Sequence, residues 1–313
     1  MAPHVSDQRG YGESHNLNRF APLIMLIAIA VVFGLLFSVS RFATSAGVPP
    51  IAYAFWQSLG AGLALLVLAL LKGMAPRLSP LFLRTYLISG AIGFAIPISL
   101  LAFVADKVPA SALTLVLALS PPLTYVFSII LGMEKFRIVS VLGILFGLAG
   151  VAVLVVPGES LPGPEMASWI LLALLAPVCF GMVNAYAGRF RPPEAPTTML
   201  ACGLMLASAL FLLPIMFATG QAYLPTGATG MGDWAVLMAA AINVAFWLLF
   251  FEIIRRAGSV FFAQFNYLAV LAGIAWAMII FAERPSVYIW GALVLLFVGL
   301  ALVQRGIRKR SVG

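Results

Sequence analysis

Charged residues are scarce in this chain of 313 residues: aspartate, glutamate, lysine and arginine make up 9% of it, whereas hydrophobic residues make up 63%. Soluble domains carry about 25% charged residues, and a water-exposed surface cannot be assembled from so few. The charges that are present collect in short breaks between long apolar runs. This pattern excludes an ordinary soluble protein and predicts an all-α membrane protein.

Cysteine and histidine are nearly absent as well. Cys179 and Cys202 both lie in apolar runs, and His4 and His15 lie in the polar segment that precedes the first run. This spacing excludes a disulfide framework and a zinc site, so we expect no metal and no cofactor. The net charge of +8 does not indicate a nucleic-acid partner, because no basic patch lies outside the loops that flank the apolar runs.

Ten apolar runs approach the roughly 20 residues that a helix needs to cross a bilayer. We predict membrane spans at about 21–43, 51–71, 84–105, 108–131, 138–156, 167–187, 196–217, 233–254, 259–281 and 285–303. Residues 1–20 are polar and are predicted to form a disordered tail. Residues 304–313 are predicted to form a basic cytoplasmic tail.

The distribution of lysine and arginine predicts the orientation. With ten spans, 15 of the 18 lysines and arginines lie on the side of the N-terminus, and only Arg41, Lys107 and Arg284 lie on the other. Because cytoplasmic loops are the ones enriched in Lys and Arg, we expect both termini in the cytoplasm. The expected location is the cell (inner) membrane, crossed several times.

The two halves of the chain resemble each other. Glu134 aligns with Glu283, and Gly150 aligns with Gly299, both at an offset of 149 residues. Nearer the N-terminus, Phe33-Gly34 aligns with Phe180-Gly181 at an offset of 147. These matches predict a duplication, with small insertions accounting for the change of offset.

A duplicated unit with five spans has a structural consequence. The first repeat covers residues 21–156, a linker covers 157–166, and the second repeat covers 167–303. Since five is odd, the second repeat enters the membrane from the opposite side, and the halves form an inverted repeat. This architecture places a substrate site between the halves, near the middle of the membrane.

The stretch from Leu117 to Val155 has a proline within a span, a Gly-x-Glu-type end and then a helix with spaced glycines. In these features the chain resembles the drug/metabolite transporter superfamily, in its ten-helix EamA type. The second half keeps Glu283 and Gly299 but has Val270 where the first half has Pro121. The resemblance implies the fold and transport. It says little of the substrate, because the superfamily handles amino acids, amines, drugs and nucleotide sugars.

Prolines within the predicted spans are candidate hinges. Pro97, Pro121 and Pro122 each remove a backbone donor and free a carbonyl one turn earlier. Each proline is compatible with a static packing kink or with a bend that flexes during transport.

Polar side chains within the spans are the candidates for a substrate cavity, because each is costly in lipid unless it faces protein or water. Every uncharged one is also compatible with an interhelical hydrogen bond that only holds the bundle together. The candidates are Ser38, Arg41, Gln57, Ser120, Tyr125, Asn184, Asn243, Trp247, Asn266 and Tyr267.

Three charged positions have alternative interpretations. Arg41 is placed to extend to the membrane interface, or to serve an outer gate or bind a carboxylate. Glu252 is the candidate for ion coupling, but a local helical ion pair with Arg255 or Arg256 also explains it. Glu283 is expected to end a helix and pack there.

The sequence therefore predicts a secondary transporter, expected to export a small, net-neutral metabolite such as an amino acid by alternating access. A channel or a scaffold protein is the first alternative. An integral-membrane enzyme is less favoured, because the cytoplasmic loops contain no clustered carboxylates or histidines. Expected partners are the solute and the lipid bilayer. The small-residue face at Gly143 and Gly147 is suited to packing within the chain or to a homodimer.

Overall fold

The computed structural model describes residues 9–155, 165–192, 195–225, 230–262 and 265–308, and over these ranges the chain forms helices and no β-strand. The described residues form ten apolar helices, and eight of them are long and apolar enough to cross a membrane. The other two, the fifth and the ninth along the chain, are shorter. The helices are α1 (Arg9–Ser45), α2 (Pro50–Leu71), α3 (Pro80–Val104), α4 (Ala110–Ile130), α5 (Ile138–Val155), α6 (Met166–Phe190), α7 (Thr197–Ala218), α8 (Met231–Phe262), α9 (Phe265–Phe281) and α10 (Val287–Arg308).

The ends of the helices follow from proline and glycine. Pro50 and Pro80 open α2 and α3, where the missing backbone N–H of proline costs nothing. Past the end of α2, Gly73 takes a φ of +67°, and the N–H of Met74 donates to the carbonyl of Ala69 at 2.8 Å. This left-handed glycine turn satisfies a helix-end carbonyl that would otherwise be left without a donor.

The helix bounds differ from the predicted spans at three places. The first helix begins at Arg9, so residues 9–20 are helical where we predicted a disordered tail. The eighth helix continues to Phe262, through the break predicted at 255–258, and the last continues to Arg308. Hydropathy marks where a chain leaves lipid, whereas arginine is a good helix former and does not end a helix. Residues 157–164 of the predicted linker lie outside the described residues.

Helices α3, α4 and α6 are each interrupted close to a proline. In α3 a π-helical segment, Ala91–Ala95, precedes Pro97. In α4 the helix breaks between Leu117 and Ser120, directly before Pro121 and Pro122. Proline removes an i→i−4 bond and crowds the preceding turn, which accounts for the breaks. The interruptions expected at the three candidate hinges are present, and their flexing stays a prediction.

The packing of the bundle sets which helices can share a site. Helix α2 packs along α7, and α5 packs along α10. Helix α1 packs against α8 and α9, while α6 packs against α3 and α4. The small-residue face of α5 is used within the chain, because Gly143 and Gly150 lie against the backbone of α10.

Large hydrophobic side chains cover the outside of the bundle. Leu63, Val67 and Leu70 of α2 are 49%, 56% and 55% exposed, and Ile279 of α9 is 71% exposed. Such a surface would associate in water. Lipid is the solvent that it fits, and the buried polar groups are the exceptions that locate a candidate site.

Candidate functional site

Two of the predicted polar residues form a buried amide pair. Gln57 of α2 is 0% exposed and Asn243 of α8 is 3% exposed. The Asn243 Nδ2 donates to the Gln57 Oε1 at 3.1 Å, and it also donates to the carbonyl of Ala239 at 2.9 Å. The Gln57 Nε2 finds no acceptor among the described residues. A buried donor without an acceptor costs about 1–3 kcal/mol, and a solute carbonyl or carboxylate would supply the acceptor.

Ser38 of α1 provides a second buried polar group. It is 1% exposed, and its hydroxyl has no hydrogen-bond partner in the part of the chain that the structure describes. Ser120, at the break in α4, is half-buried, and its carbonyl accepts from the Thr124 hydroxyl at 2.8 Å. That bond is a local contact between a hydroxyl and the carbonyl one turn earlier in the same helix.

An aromatic cluster joins α1, α8 and α9 next to the amide pair. The Trp247 ring lies 5.2 Å from the Phe246 ring and 5.6 Å from that of Phe250. Phe246 in turn lies 4.9 Å from Phe33 and 5.4 Å from Phe265. Trp247 was among the predicted cavity residues, whereas the phenylalanines were not, because an apolar ring in a membrane span gives no signal in the sequence. The two Trp247 contacts are edge-to-face and the other two are tilted, and rings packed in this way form an apolar wall.

Two predicted cavity residues lie on the α4–α6 side instead. The Asn184 side chain is exposed, and its Nδ2 donates to the Thr124 hydroxyl at 3.3 Å. Tyr125 is 2% exposed and donates its hydroxyl to the carbonyl of Lys135 at 2.8 Å. The second bond fixes the turn that follows α4, so the Tyr125 hydroxyl is engaged by the chain itself.

The two predicted residues at the start of α9 are both half-buried. The Tyr267 ring packs edge-on against Phe297 of α10, with ring centroids 4.9 Å apart. Asn266 precedes it in the sequence. The contact with α10 directs Tyr267 toward that neighbouring helix.

Arg41 does not extend alone to an interface, because it forms an ion pair with Glu283, which follows α9. The Arg41 guanidinium also lies 4.4 Å from the centroid of the Phe281 ring. The Glu283 carboxylate accepts from the backbone N–H groups of Ala110 and Ser111 at 2.9 and 3.3 Å, and from the Ser111 hydroxyl at 2.6 Å. One carboxylate thus joins the end of α1, the start of α4 and the end of α9.

The backbone before Glu283 sets the direction of its carboxylate. Ala282 has a φ of +50°, and in the described residues it is the one non-glycine with a positive φ. That conformation costs an alanine roughly 1–2 kcal/mol. It turns the chain sharply after Phe281, and the N–H of Glu283 then donates to the carbonyl of Ala277 at 3.4 Å. A residue in the left-handed conformation just past the last turn is a common way for a helix to end, and here Ala282 ends α9.

The coupling candidate Glu252 lies near the end of α8. The Arg256 Nε donates to the Glu252 Oε1 at 2.5 Å, in the i,i+4 arrangement predicted for a local helical ion pair. Both side chains are about one-third exposed. The structure therefore contains the local ion pair that explains Glu252 without a transport role. A role of Glu252 in ion coupling stays a prediction.

A loop between α7 and α8 is fixed over the start of α2. The Trp56 indole donates to the carbonyl of Tyr223 at 2.7 Å, and Gln221 accepts from the N–H of Ile51 at 3.1 Å. The Tyr223 hydroxyl donates to Asp233, which is 2% exposed in the first turn of α8. This hydrogen bond, then burial and the Asp233 charge, raise the pKa of Tyr223. These bonds connect the α7–α8 loop to the first half of the chain.

Comparison with known proteins adds the family. The sequence pattern of the EamA-like transporter family matches residues 21–156, and it matches residues 167–305 as well. The chain belongs to this family. The EamA-type resemblance read from the Leu117–Val155 stretch is thereby confirmed.

Two known proteins are similar to this EamA-like protein over most of its length. The uncharacterized transporter YvbV of Bacillus subtilis (strain 168) is 25% identical over 286 residues, which are 90% of each chain. A solved crystal structure superposes with a TM-score of 0.59 at 24% identity, covering 91% of this chain and 98% of the other. At that identity the solved structure shows a shared fold alone.

The described side chains of the amide pair are uncharged. Among the described residues, no three His, Cys, Asp or Glu side chains come together as a metal site would need. The groups at this place in the EamA-like protein are the amides of Gln57 and Asn243 and the aromatic rings around Trp247. A charged side chain is buried elsewhere, since Asp233 is 2% exposed at the start of α8.

Proposed function

We propose that the protein is a secondary transporter that exports a small, net-neutral solute, such as an amino acid, by alternating access across the cell membrane. Ten spans with both termini in the cytoplasm complete the proposal. The observation that carries it is the match of a transporter family to each half of the chain separately. The orientation is supported by the excess of Lys and Arg on the side of the termini.

The inverted repeat is supported by contacts that exchange between the halves. Gly34 of α1 lies against Gly273 of α9, where an added Cβ would be 2.7 Å from the backbone nitrogen. Gly181 of α6 lies against Thr124 of α4, where the corresponding distance is 2.9 Å. Gly34 and Gly181 differ by 147 residues, and Thr124 and Gly273 by 149. The same contact is therefore made once by each half, with the roles of the halves exchanged.

A second contact follows the same rule. Gly60 of α2 lies against Ala240 of α8, and Gly90 of α3 lies against Ala207 of α7. The offsets are 207 − 60 = 147 and 240 − 90 = 150 residues. Two helix pairs with one geometry, exchanged between the halves, are what a pseudo-two-fold axis produces.

The pair α5–α10 lies on such an axis. Gly143 lies against Gly299, and Gly150 lies against Ala292. At the offset of 149 residues, Gly143 corresponds to Ala292 and Gly150 corresponds to Gly299. The Gly143–Gly299 contact therefore corresponds to the Ala292–Gly150 contact, with the two helices exchanged. Two units of opposite sense that share this axis can rock about a central site and open it to either side.

The polar groups support the proposed solute class. The buried pair Gln57 and Asn243 provides amide donors and acceptors without charge, and Trp247 provides an aromatic wall. Arg41 is neutralised by Glu283. A site with no excess charge favours a solute whose charges sum to zero, since an unpaired ion is costly at membrane depth.

Counterflow in proteoliposomes tests the proposal. Vesicles preloaded with one unlabelled amino acid or amine should accumulate the labelled form of the transported class. Gln57→Ala should lose this exchange. Ser58→Ala should retain it, because within the described part of the chain the Ser58 hydroxyl bonds only to the carbonyl of Phe55 in its own helix. Conductance steps without counterflow would contradict the carrier and indicate a channel.

A further inference from the structure

We propose that Glu283 is a gating residue of the transporter. Its carboxylate, held by Arg41 and by the start of α4, keeps the α1–α4–α9 end of the molecule closed, and it is released each time that end opens. This inference rests on the proposed alternating access and adds the contact that controls one of the two openings. In the proposed orientation, this end faces away from the cytoplasm.

The contacts join segments that are far apart in the chain. Arg41 and Glu283 are 242 positions apart, and Ser111 and Glu283 are 172 apart. Arg41 and Ser111 belong to the first half of the chain, and Glu283 belongs to the second. A single carboxylate with an ion pair and three hydrogen bonds therefore joins the two halves at one end of the bundle.

The geometry is more specific than that of a surface ion pair. The Glu283 side chain is 12% exposed and that of Arg41 is 27% exposed. Two of the three hydrogen bonds come from backbone N–H groups at the start of α4, where the helix dipole favours a negative charge. The carboxylate is thus held by hydrogen bonds that fix its position as well as by the charge of Arg41. A glutamine at this position would keep the shape of the side chain and lose the charge.

The turn at Ala282 is a second observation at the same place. The left-handed Ala282 ends α9, and the carboxylate of the next residue lies against the start of α4. The end of α9 and the carboxylate that joins it to the first half of the chain are therefore adjacent in the sequence. A movement of this helix end moves the carboxylate with it.

Opening of this end requires the bonds to break together. Separating α9 from α1 and α4 removes the ion pair and all three hydrogen bonds at once, because one carboxylate makes them all. Hydrogen bonds to a charged group shift an equilibrium by about tenfold or more each. Loss of the negative charge at Glu283 should therefore raise the population with this end open by at least about tenfold.

Thiol accessibility measures this population without any substrate. Ser38 is buried and lies three residues, about 4.5 Å of helix, before Arg41. Ser38→Cys, in a chain whose two native cysteines are replaced by alanine, places a thiol directly behind the proposed closure. The measured quantity is the rate of reaction with a membrane-impermeant maleimide, applied to each side of oriented membrane vesicles.

When the maleimide is applied on the side of the membrane where Lys107 lies, Glu283→Gln should raise the labelling rate of this thiol by about tenfold or more. Arg41→Gln, which keeps the hydrogen bonds from α4, should raise it less. Asp106→Asn is the matched control, because its carboxylate lies at the same end but, among the described residues, pairs only with its neighbour Lys107, at 3.1 Å. It should leave the rate unchanged.

Labelling rates within about twofold of the parent in both Glu283→Gln and Arg41→Gln would overturn the proposal. The same would follow if Asp106→Asn accelerated labelling as much as Glu283→Gln does. A rise in labelling together with failed counterflow of every solute class would contradict the proposed function while supporting the closure, so the two failures are distinguishable.

Discussion

The close contact between α5 and α10 gives a prediction with a magnitude. A Cβ added at Gly143 would lie 2.4 Å from the carbonyl oxygen of Gly299 and 2.9 Å from the backbone nitrogen of Val303. Both are backbone atoms, so no side chain can rotate away. Reaching the 3.4 Å at which ordinary contact begins requires a shift of about 1 Å between the helices (3.4 − 2.4 = 1.0).

The cost of Gly143→Ala follows from this shift. A gap of 0.5–1 Å already forfeits a quarter to a half of a dispersion contact, and overpacking typically costs about 1–3 kcal/mol. Replacing a helical glycine by alanine returns up to about 1 kcal/mol. We therefore expect Gly143→Ala to lower the free energy of unfolding by roughly 1–2 kcal/mol.

Unfolding of the purified protein in mixed micelles, followed by circular dichroism, measures this change. Gly291→Ala is the matched control on α10, because an added Cβ there meets only the Val153 Cγ1 at 3.9 Å. The control should be neutral or up to about 1 kcal/mol more stable. Equal stability of Gly143→Ala and Gly291→Ala would refute the α5–α10 contact.

Three further predictions concern the polar contacts. The double variant Arg41→Glu, Glu283→Arg restores opposite charges but puts a cation at the start of α4, so its melting temperature should be no higher than that of Glu283→Arg alone. A melting temperature equal to that of the wild type would show that the contact is an ion pair and nothing more. Gln57→Leu and Asn243→Leu should each cost about 1–2 kcal/mol of unfolding free energy, and the double variant less than their sum; additive losses would contradict the amide bond. The raised pKa of Tyr223 favours the protonated form in the folded state, so its contribution is present below the unfolded pKa of about 10 and is lost as pH rises through the folded value. The difference in melting temperature between wild type and Tyr223→Phe should accordingly stay constant from about pH 7 to 9 and shrink above about pH 10, and a decrease already below pH 9 would contradict it.

The sequence predicted individual polar residues better than their partners. Gln57 and Asn243 both stood out as amides in apolar runs, but their pairing depends on how α2 and α8 cross. Glu283 was expected only to end a helix, because its partners, Arg41 and Ser111, are more than 170 positions away. The phenylalanines around Trp247 gave no signal, since a ring that faces a neighbour and one that faces lipid look alike in a sequence.

Helix ends were predicted less well where charge and helix formation disagree. The Arg255-Arg256 pair ends an apolar run but not α8, because leaving lipid does not stop a helix. Pro97, Pro121 and Pro122 each lie at an interruption, because the ring removes a backbone donor. Pro22 and Pro214, in contrast, lie inside α1 and α7 without interrupting them.

The sequence by itself determined that the protein lies in lipid, that it is all-helical and which family it belongs to. These properties depend on composition and on local patterns of apolar residues, glycine and proline. Only the tertiary structure decided which small residues let helices touch and which carboxylate joins the end of α1 to the start of α4. Those contacts arise between segments brought together by packing. A linear chain carries no record of which face of each helix turns toward another.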